Sequence, residues 1–524
     1  MLLPLKPILE NMEPTQSPTT RVPAWGTLPP ELRLMILEAL TRLPRGWAAH
    51  ASVCKEWQAA LEKDTFRRLK LRVSCLDNVE TVISPQRSRL VRHVWLNIEL
   101  RPYTCRNCHL TESYSWWCAN NAVIRSAVRK LFAVLSRWPA ADGAGLTLEL
   151  SAQSPSDKEH YFKNLYFGGP GEDEDEDSEP DDRPGRGSPL SDDNPTEYLQ
   201  QDIKHGWVGS RQVFAPDASA ILRMFSEIDL GFREELPRVH AVTRFAIRRQ
   251  CRRQFSPRTL GYLFDRLPRL RSLVYEPWKW YKRAPTYHYD DEYEKLIESH
   301  LPQSLKHLSI FEETNERYIA LIREAFLPHG LGPDWVRTPS PAVGAALAER
   351  SLGLETLSAT FIVEARDFFQ SRRPDWVWEG LTSLVLTSRM LTSAANREDV
   401  TGLLRSAAAA ALSMPRLHTM VLWNGIEGTA CKFSYRAESG RASIAWRGTW
   451  DLGLEDEVVD AWGKVAHKRT GLDLGVIHEP RIVEHVDCHA HAIALLGLPG
   501  GVVDPISLLQ MQREAVSSWR EGRT

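Results

Sequence analysis

Long apolar runs are missing from this 524-residue chain. No stretch approaches the roughly 18 uninterrupted apolar residues that a membrane-spanning helix needs. The apolar start, MLLPLKPILENMEP, is broken by Pro4, Lys6 and Pro7. Membrane insertion and secretion are therefore not expected. Cysteine is scarce: eight residues are far too few for a disulfide-built scaffold, and they point to a reducing cytoplasmic or nuclear compartment. The short motifs of common enzymes are absent as well. There is no Gly-x-x-x-x-Gly-Lys phosphate loop, Gly-x-Ser-x-Gly elbow, His-Glu-x-x-His pair or Gly-x-Gly-x-x-Gly turn. These absences lower the expectation of an enzyme, and no catalytic residue and no cofactor is assigned.

An excess of one charge sign is also lacking overall, with a formal net charge of -2. That balance hides one local run. Residues 168–197 hold 12 acidic and 2 basic side chains; taking them from totals of 67 and 65 leaves 55 acidic against 63 basic. A mildly basic body is thus offset by one polyanionic insert, expected as a disordered loop that acts as a spacer, a phosphorylation site around Ser178 or Ser188, or a cover for a basic face. Residues 1–24, with Pro4, Pro7, Pro14, Pro18 and Pro23, read as a disordered leader.

Between these breaks the pattern Φ-x-x-Φ-x-Φ, with Φ apolar, recurs. It occurs at Phe66-Leu69-Leu71, Val91-Val94-Leu96, Val242-Phe245-Ile247, Leu270-Leu273-Tyr275, Leu305-Leu308-Ile310, Leu381-Leu384-Leu386 and Leu417-Met420-Leu422. A weaker copy lies at Leu354-Leu357-Ala359. The last two positions alternate as a buried strand requires. In residues 256–275, 292–310 and 400–422 a helical run ends in Leu-Pro or Met-Pro before the strand, where proline stops the helix. Helix–Pro–strand units in series give an α/β fold read as an irregular leucine-rich-repeat-like solenoid over residues 72–508, with a tail at 509–524. Spacings of 35, 49, 27 and 36 residues from Leu270 onward are longer and less even than such repeats usually show. A non-repetitive α/β domain is the competing reading.

Residues 25–71 form a separate module. Pro29 and Pro30 preset a helix start, Glu31 suits its positive end, and Leu43-Pro44 ends it. At 100° per residue Leu32, Met35, Ile36, Ala39 and Leu40 span an arc of about 140°, and Leu34 and Leu37 widen the apolar surface to roughly 260°. Two packed helices cannot cover that much. A second amphipathic helix is expected from about Trp47 to Glu62. So short a module with apolar surface to spare needs cover from another chain or from the rest of this one.

Leu28, Pro29, Glu31, Leu32, Ile36, Leu37, Leu40, Val53, Cys54, Lys55 and Trp57 together match the F-box pattern, Leu-Pro-x-Glu-Φ through Ile-Leu-x-x-Leu to Val-Cys-Lys-x-Trp. The segment resembles an F-box, and the whole chain resembles fungal F-box proteins with an uncharacterised carboxy-terminal region. Residues 41–47 depart from the family's approach to the last helix. The resemblance implies a three-helix module that docks on a Skp-type adaptor and, through it, a cullin-based ubiquitin ligase. It places Leu28, Pro29, Leu32, Ile36, Leu37 and Leu40 at the adaptor, with Val53, Cys54 and Trp57 touching or supporting the interface. The rest of the chain would capture a target protein.

Other clusters carry weaker chemistry. Cys105-x-x-Cys108-His109, with Cys118 or His93 to complete a set, is read as reduced structural cysteines, with zinc as the alternative. His485, Cys488, His489 and His491 share no single helix or strand face. Arg244, Arg248, Arg249, Arg252, Arg253 and Arg258 make the densest basic run, a candidate contact for phosphates, an acidic peptide or the chain's own acidic loop. The aromatics Trp278, Trp280, Tyr281 and Tyr287, with Tyr289 and Tyr293, follow a repeat strand and are candidates for target binding. A metal-dependent enzyme and a basic nucleic-acid scaffold are the alternative functions.

Overall fold

The computed structural model of the protein describes residues 25–41, 47–140, 145–168, 202–208, 211–232, 234–279, 289–326, 338–438, 440–471 and 473–517. The leader, the acidic run with Ser178 and Ser188, and Trp280, Tyr281 and Tyr287 lie outside the described residues. The chain divides into two units, Met1–Arg67 and Arg68–Thr524.

In the first unit, helix α1 (Pro30–Thr41) and helix α2 (Lys55–Thr65) flank a 3-10 turn, Trp47–Ser52. The single helix expected from Trp47 to Glu62 is interrupted because Cys54 adopts an extended conformation (φ -162°) and starts α2 afresh. Glu56 ties the pieces together, accepting hydrogen bonds from Trp25 Nε1 at 3.0 Å and Arg33 Nη1 at 2.8 Å. The Trp25 and Trp57 rings meet edge to face at 5.0 Å.

The second unit is a mixed α/β domain on a twelve-stranded, mostly parallel sheet. Its strands are β1 (Arg68–Leu71), β2 (His93–Glu99), β3 (Leu146–Gln153), β4 (Val242–Ile247), β5 (Ser272–Tyr275), β6 (His307–Phe311), β7 (Thr356–Thr360), β8 (Ser383–Thr387), β9 (Thr419–Ile426), β10 (Thr429–Glu438), β11 (Arg441–Gly448) and β12 (Leu474–His478). Strand order follows chain order. Pairing is parallel from β1 to β9, antiparallel across β9, β10 and β11, and parallel again to β12. β1 belongs to this unit, although its residues were read with the amino-terminal module.

Each copy of the apolar pattern lands on a strand, and the middle Φ residues form one row. Leu69, Val94, Leu148, Phe245, Leu273, Leu308, Leu357, Leu384 and Met420 stand opposite one another across successive parallel strands. β3 escapes the pattern because its leading position is Gly145, where a Cβ would lie 2.2 Å from the Thr243 side chain. The helix–Pro–strand units are present too. Ser256 caps Pro257–Phe264 before β5, and Asn396 caps Arg397–Ala411 before β9, each side chain accepting a backbone N–H.

Right-handed crossovers that all advance in one direction place their connections on one face of a parallel sheet. The opposite face then needs other cover. On its carboxy-terminal half that cover is the returning chain. Helix α3 (His489–Leu496) with Ile493 and Leu496, Ile482 and Val486 of the segment before it, and helix α4 (Pro505–Ser517) with Met511 pack against Phe311, Val385, Val421 and Trp423. Ser309 Oγ donates to the Gly501 carbonyl at 2.8 Å. Residues 509–517, expected as part of a tail, are therefore built into the domain, because Phe311, Val385, Val421 and Trp423 on this face must be shielded from water. No described helix is long and apolar enough to cross a membrane.

Trp423, fully buried under this cover, gives a direct test. Trp423→Ala should lower the unfolding free energy by about 3–5 kcal/mol in denaturant titration. Val483→Ala, at a residue 88% exposed, should change it by less than about 0.5 kcal/mol. Equal effects would contradict the packing.

Candidate functional site

The basic run lies where β4 ends, and the structure turns its side chains inward. Arg248, Arg249, Arg252 and Arg253 are all buried, while Arg244 and Arg258 are exposed. A buried guanidinium keeps its charge and must be paired. Arg248 Nη2 meets Glu149 of β3 at 2.7 Å, and Arg253 Nη1 meets Glu112 at 2.7 Å. Arg249 bridges Glu313, just past β6, at 2.8 Å and Glu514 of α4 at 2.7 Å. Arg252 also pairs with Glu514. These four side chains are thus paired with acids inside the domain and form no exposed surface for phosphate or an acidic peptide, which corrects the reading of the run as a binding surface.

Trp278 is corrected with them. It is 3% exposed, its ring lies under the Arg249 and Arg252 guanidinium groups at 5.0 and 5.6 Å, and its Nε1 donates to the Arg249 carbonyl at 2.7 Å. It anchors the arginine layer and presents no surface to a target. Tyr293 is likewise buried, with its hydroxyl 3.2 Å from that of Tyr275.

Beside this layer is a cavity of about 100 Å³ lined by Glu313, Arg317, Cys488, His489, Met511 and Glu514 among others. It sits past the carboxyl ends of parallel strands, where α/β sheets commonly bind ligands. Its groups are engaged with one another. His489 Nε2 contacts Glu313 Oε1 at 2.7 Å. Burial works to raise the Glu313 pKa, but the charges of His489 and Arg249 outweigh it and hold the carboxyl at about 2. Burial pushes the Cys488 thiol up, the wrong direction for a nucleophile. His485 and His491 lie 4.0 and 3.6 Å from the Asp487 carboxylate. The four residues of EHVDCHAHAIAL therefore do not converge on one point.

Glu276 behaves in the opposite way to Glu313. Burial, then the nearby Asp504 carboxylate, raise it to about 7, although it accepts bonds from the Arg249 and Asp504 amides at 3.1 and 2.7 Å and from Ser507 Oγ at 2.5 Å.

A second constellation lies past the carboxyl ends of β2 and β3. Cys105 and Cys108 occupy the turn after β2, and His205 Nε2 is 3.4 Å from the sulfur of each. The His160 ring lies against that of His205, tilted by 44° with ring centroids 4.8 Å apart. One ligand atom from each of the four lies within 4.8 Å of all the others. The completing residues expected from the sequence are elsewhere: His93 pairs with Glu149 at 2.9 Å, and His109 and Cys118 are exposed. His160 and His205 were missed because neither lies at metal-site spacing from Cys108. The one local signal is Gly206, whose φ of +80° closes the turn that aims His205 and whose missing Cβ would lie 2.4 Å from the Phe214 carbonyl oxygen.

In the amino-terminal module, Leu32, Leu34, Met35 and Ile36 of α1 are between 40 and 62% exposed, and Val53 is 60% exposed. Pro29 and Cys54 are exposed, Leu28, Leu40 and Trp57 half-buried. Leu37 is 4% exposed and is part of the core, which removes it from the adaptor-facing set.

Residues 300–504 match the model of a family of unknown function (DUF6546). The matched stretch runs from just before β6 to just before α4 and contains neither the Cys/His cluster nor the amino-terminal module. No F-box family model is matched. No curated protein matches the chain.

Glu276 supplies a pH test. Because its folded pKa lies above the ordinary 4.5, its protonated form favours the fold, and that contribution fades as pH rises from about 4.5 through about 7. Glu276→Gln cannot titrate. The Tm of the wild type relative to Glu276→Gln should therefore fall steadily between pH 5 and pH 8, as read by scanning fluorimetry; a pH-independent difference would contradict the assignment.

Proposed function

We propose that the protein is the substrate-receptor subunit of a Skp/cullin/F-box-type ubiquitin ligase. The observation that carries this reading is the row of large apolar side chains left open to solvent on α1. Four such residues on a helix of 12 residues form a patch that a stable soluble module does not normally expose. Two of them, Leu32 and Ile36, coincide with the adaptor-facing part of the F-box pattern, and Leu34 and Met35 adjoin them in the sequence. Leu28, Pro29, Leu32, Ile36, Leu40, Val53, Cys54 and Trp57 then contact or support the adaptor, joined by Leu34 and Met35. The cullin is reached through the adaptor.

In this reading the second unit holds a target protein, and an irregular leucine-rich-repeat-like array describes its parallel half. The agreement of strand order with chain order and the single row of aligned apolar residues support that description. A receptor of this kind accelerates transfer by proximity and needs no nucleophile of its own. The internal pairing of Arg248, Arg249, Arg252 and Arg253 withdraws the main support for a nucleic-acid scaffold.

Leu32→Asp with Ile36→Asp places charge in the middle of the patch. Interface anchors are worth about 2 kcal/mol or more each, so the pair should weaken capture of a Skp-type adaptor by at least about a hundredfold, with circular dichroism of the chain unchanged. Capture that survives both substitutions would overturn the proposal.

A further inference from the structure

We infer that Cys105, Cys108, His160 and His205 bind one zinc ion in a closed, structural site. The inference stands apart from the receptor reading, since it concerns different residues and holds whether or not an adaptor binds.

The geometry points to it from several sides. Zinc bonds of about 2.3 Å to sulfur and 2.0–2.1 Å to nitrogen, set tetrahedrally, place sulfur and nitrogen about 3.6 Å apart. His205 Nε2 is 3.4 Å from both sulfurs, close to that value. The imidazoles are prepared as neutral ligands. His205 Nδ1 is held by the Asp202 carboxylate at 2.7 and 2.8 Å, which leaves the Nε2 lone pair facing the two cysteines. This carboxylate–histidine arrangement is the usual outer support of a zinc-bound imidazole. His160 is bonded on its far side by the Tyr103 backbone, and its buried Nε2 has no hydrogen-bond partner within the protein. A buried ring nitrogen left without a donor, aimed at two thiols and a second imidazole, is the group that a cation would satisfy.

The surroundings suit a dication bound by two thiolates. The Lys204 ammonium lies 2.8 Å from Cys105 Sγ and brings a positive charge beside the sulfur. Lys163 balances Asp202 at 2.6 Å. Around the cluster, Tyr103, Tyr161, Phe162 and Ile221 build an apolar wall. Two sulfurs and two nitrogens from the protein fill a tetrahedral shell, and Cys108, His160 and His205 are buried. No position is left for water or substrate, so the ion would fasten structure and not catalyse. What it fastens is specific: the turn after β2, the segment following β3, and the turn Ile203–His205 beyond the acidic run. His160 and His205 stand on either side of residues 169–201, so one ion would staple the two flanks of that insert to the domain. Binding energy of this kind adds to folding energy.

The test uses the full chain purified under reducing conditions without chelator. Elemental analysis should find about one zinc per chain. After removal of metal, titration with Co²⁺ should give the visible bands of tetrahedral cobalt together with thiolate charge-transfer absorption, saturating at about one equivalent. Cys105→Ser with Cys108→Ser, and separately His205→Ala, should reduce bound zinc to below about a tenth of the wild-type amount. His109→Ala and Cys118→Ser should leave it unchanged, which separates ligand loss from general misfolding. Absence of stoichiometric zinc together with absence of the tetrahedral cobalt spectrum in the wild-type chain would overturn the inference, as would loss of metal in His109→Ala or Cys118→Ser with a native circular dichroism spectrum.

Discussion

Burial of four guanidinium groups within six residues of chain is the constraint around which the larger unit is arranged. An arginine cannot discharge itself by losing a proton, and an unpaired charge in the interior costs several kcal/mol. Every one of Arg248, Arg249, Arg252 and Arg253 must therefore be met by an acid, and none of those acids is nearby in sequence. Glu149 and Glu112 arrive from before β4, Glu313 from beyond β6, and Glu514 from a helix 265 residues past Arg249. The return of the chain's carboxy-terminal helices across the sheet serves both needs at once: it brings Glu514 to Arg249 and Arg252, and it covers the sheet face that carries Val421 and Trp423. Opposite shifts at Glu313 and Glu276 follow from the same layer, since one carboxyl faces cationic partners and the other is sealed beside Asp504.

The parts of this architecture that were legible in the sequence are those fixed by local periodicity. The apolar spacing Φ-x-x-Φ-x-Φ identified eight of the nine parallel strands, three of them after a helix-stopping proline, because that spacing is itself a consequence of pleat and entry turn. β3 escaped because Gly145 replaces the leading apolar side chain under pressure from Thr243, a contact made across the sheet. The arginine run was visible as charge, but its direction was not, since burial is decided by acids 64 to 265 residues away. The cysteine pair was visible as well, whereas His160 and His205 reach it through the fold and at no readable spacing. Trp278 shows the same limit: its aromatic character was plain, and its place beneath two guanidinium groups was set by tertiary structure.

The amino-terminal module follows the opposite logic. Its apolar surface was too wide for two helices on the sequence alone, and α1 keeps that surface open, with Leu37 alone of its leucines withdrawn into the core. Under the proposed receptor reading, the exposed leucine, methionine and isoleucine side chains of this short helix are where the adaptor docks. The larger unit is closed by its own carboxy-terminal helices.

Hydrogen–deuterium exchange on the full chain, with and without a Skp-type adaptor, tests the receptor reading most directly. Amides of residues 31–40 should exchange readily in the free chain and become protected on adding the adaptor, while those of residues 242–255 stay protected in both states. Unchanged exchange in residues 31–40 at saturating adaptor would contradict the account.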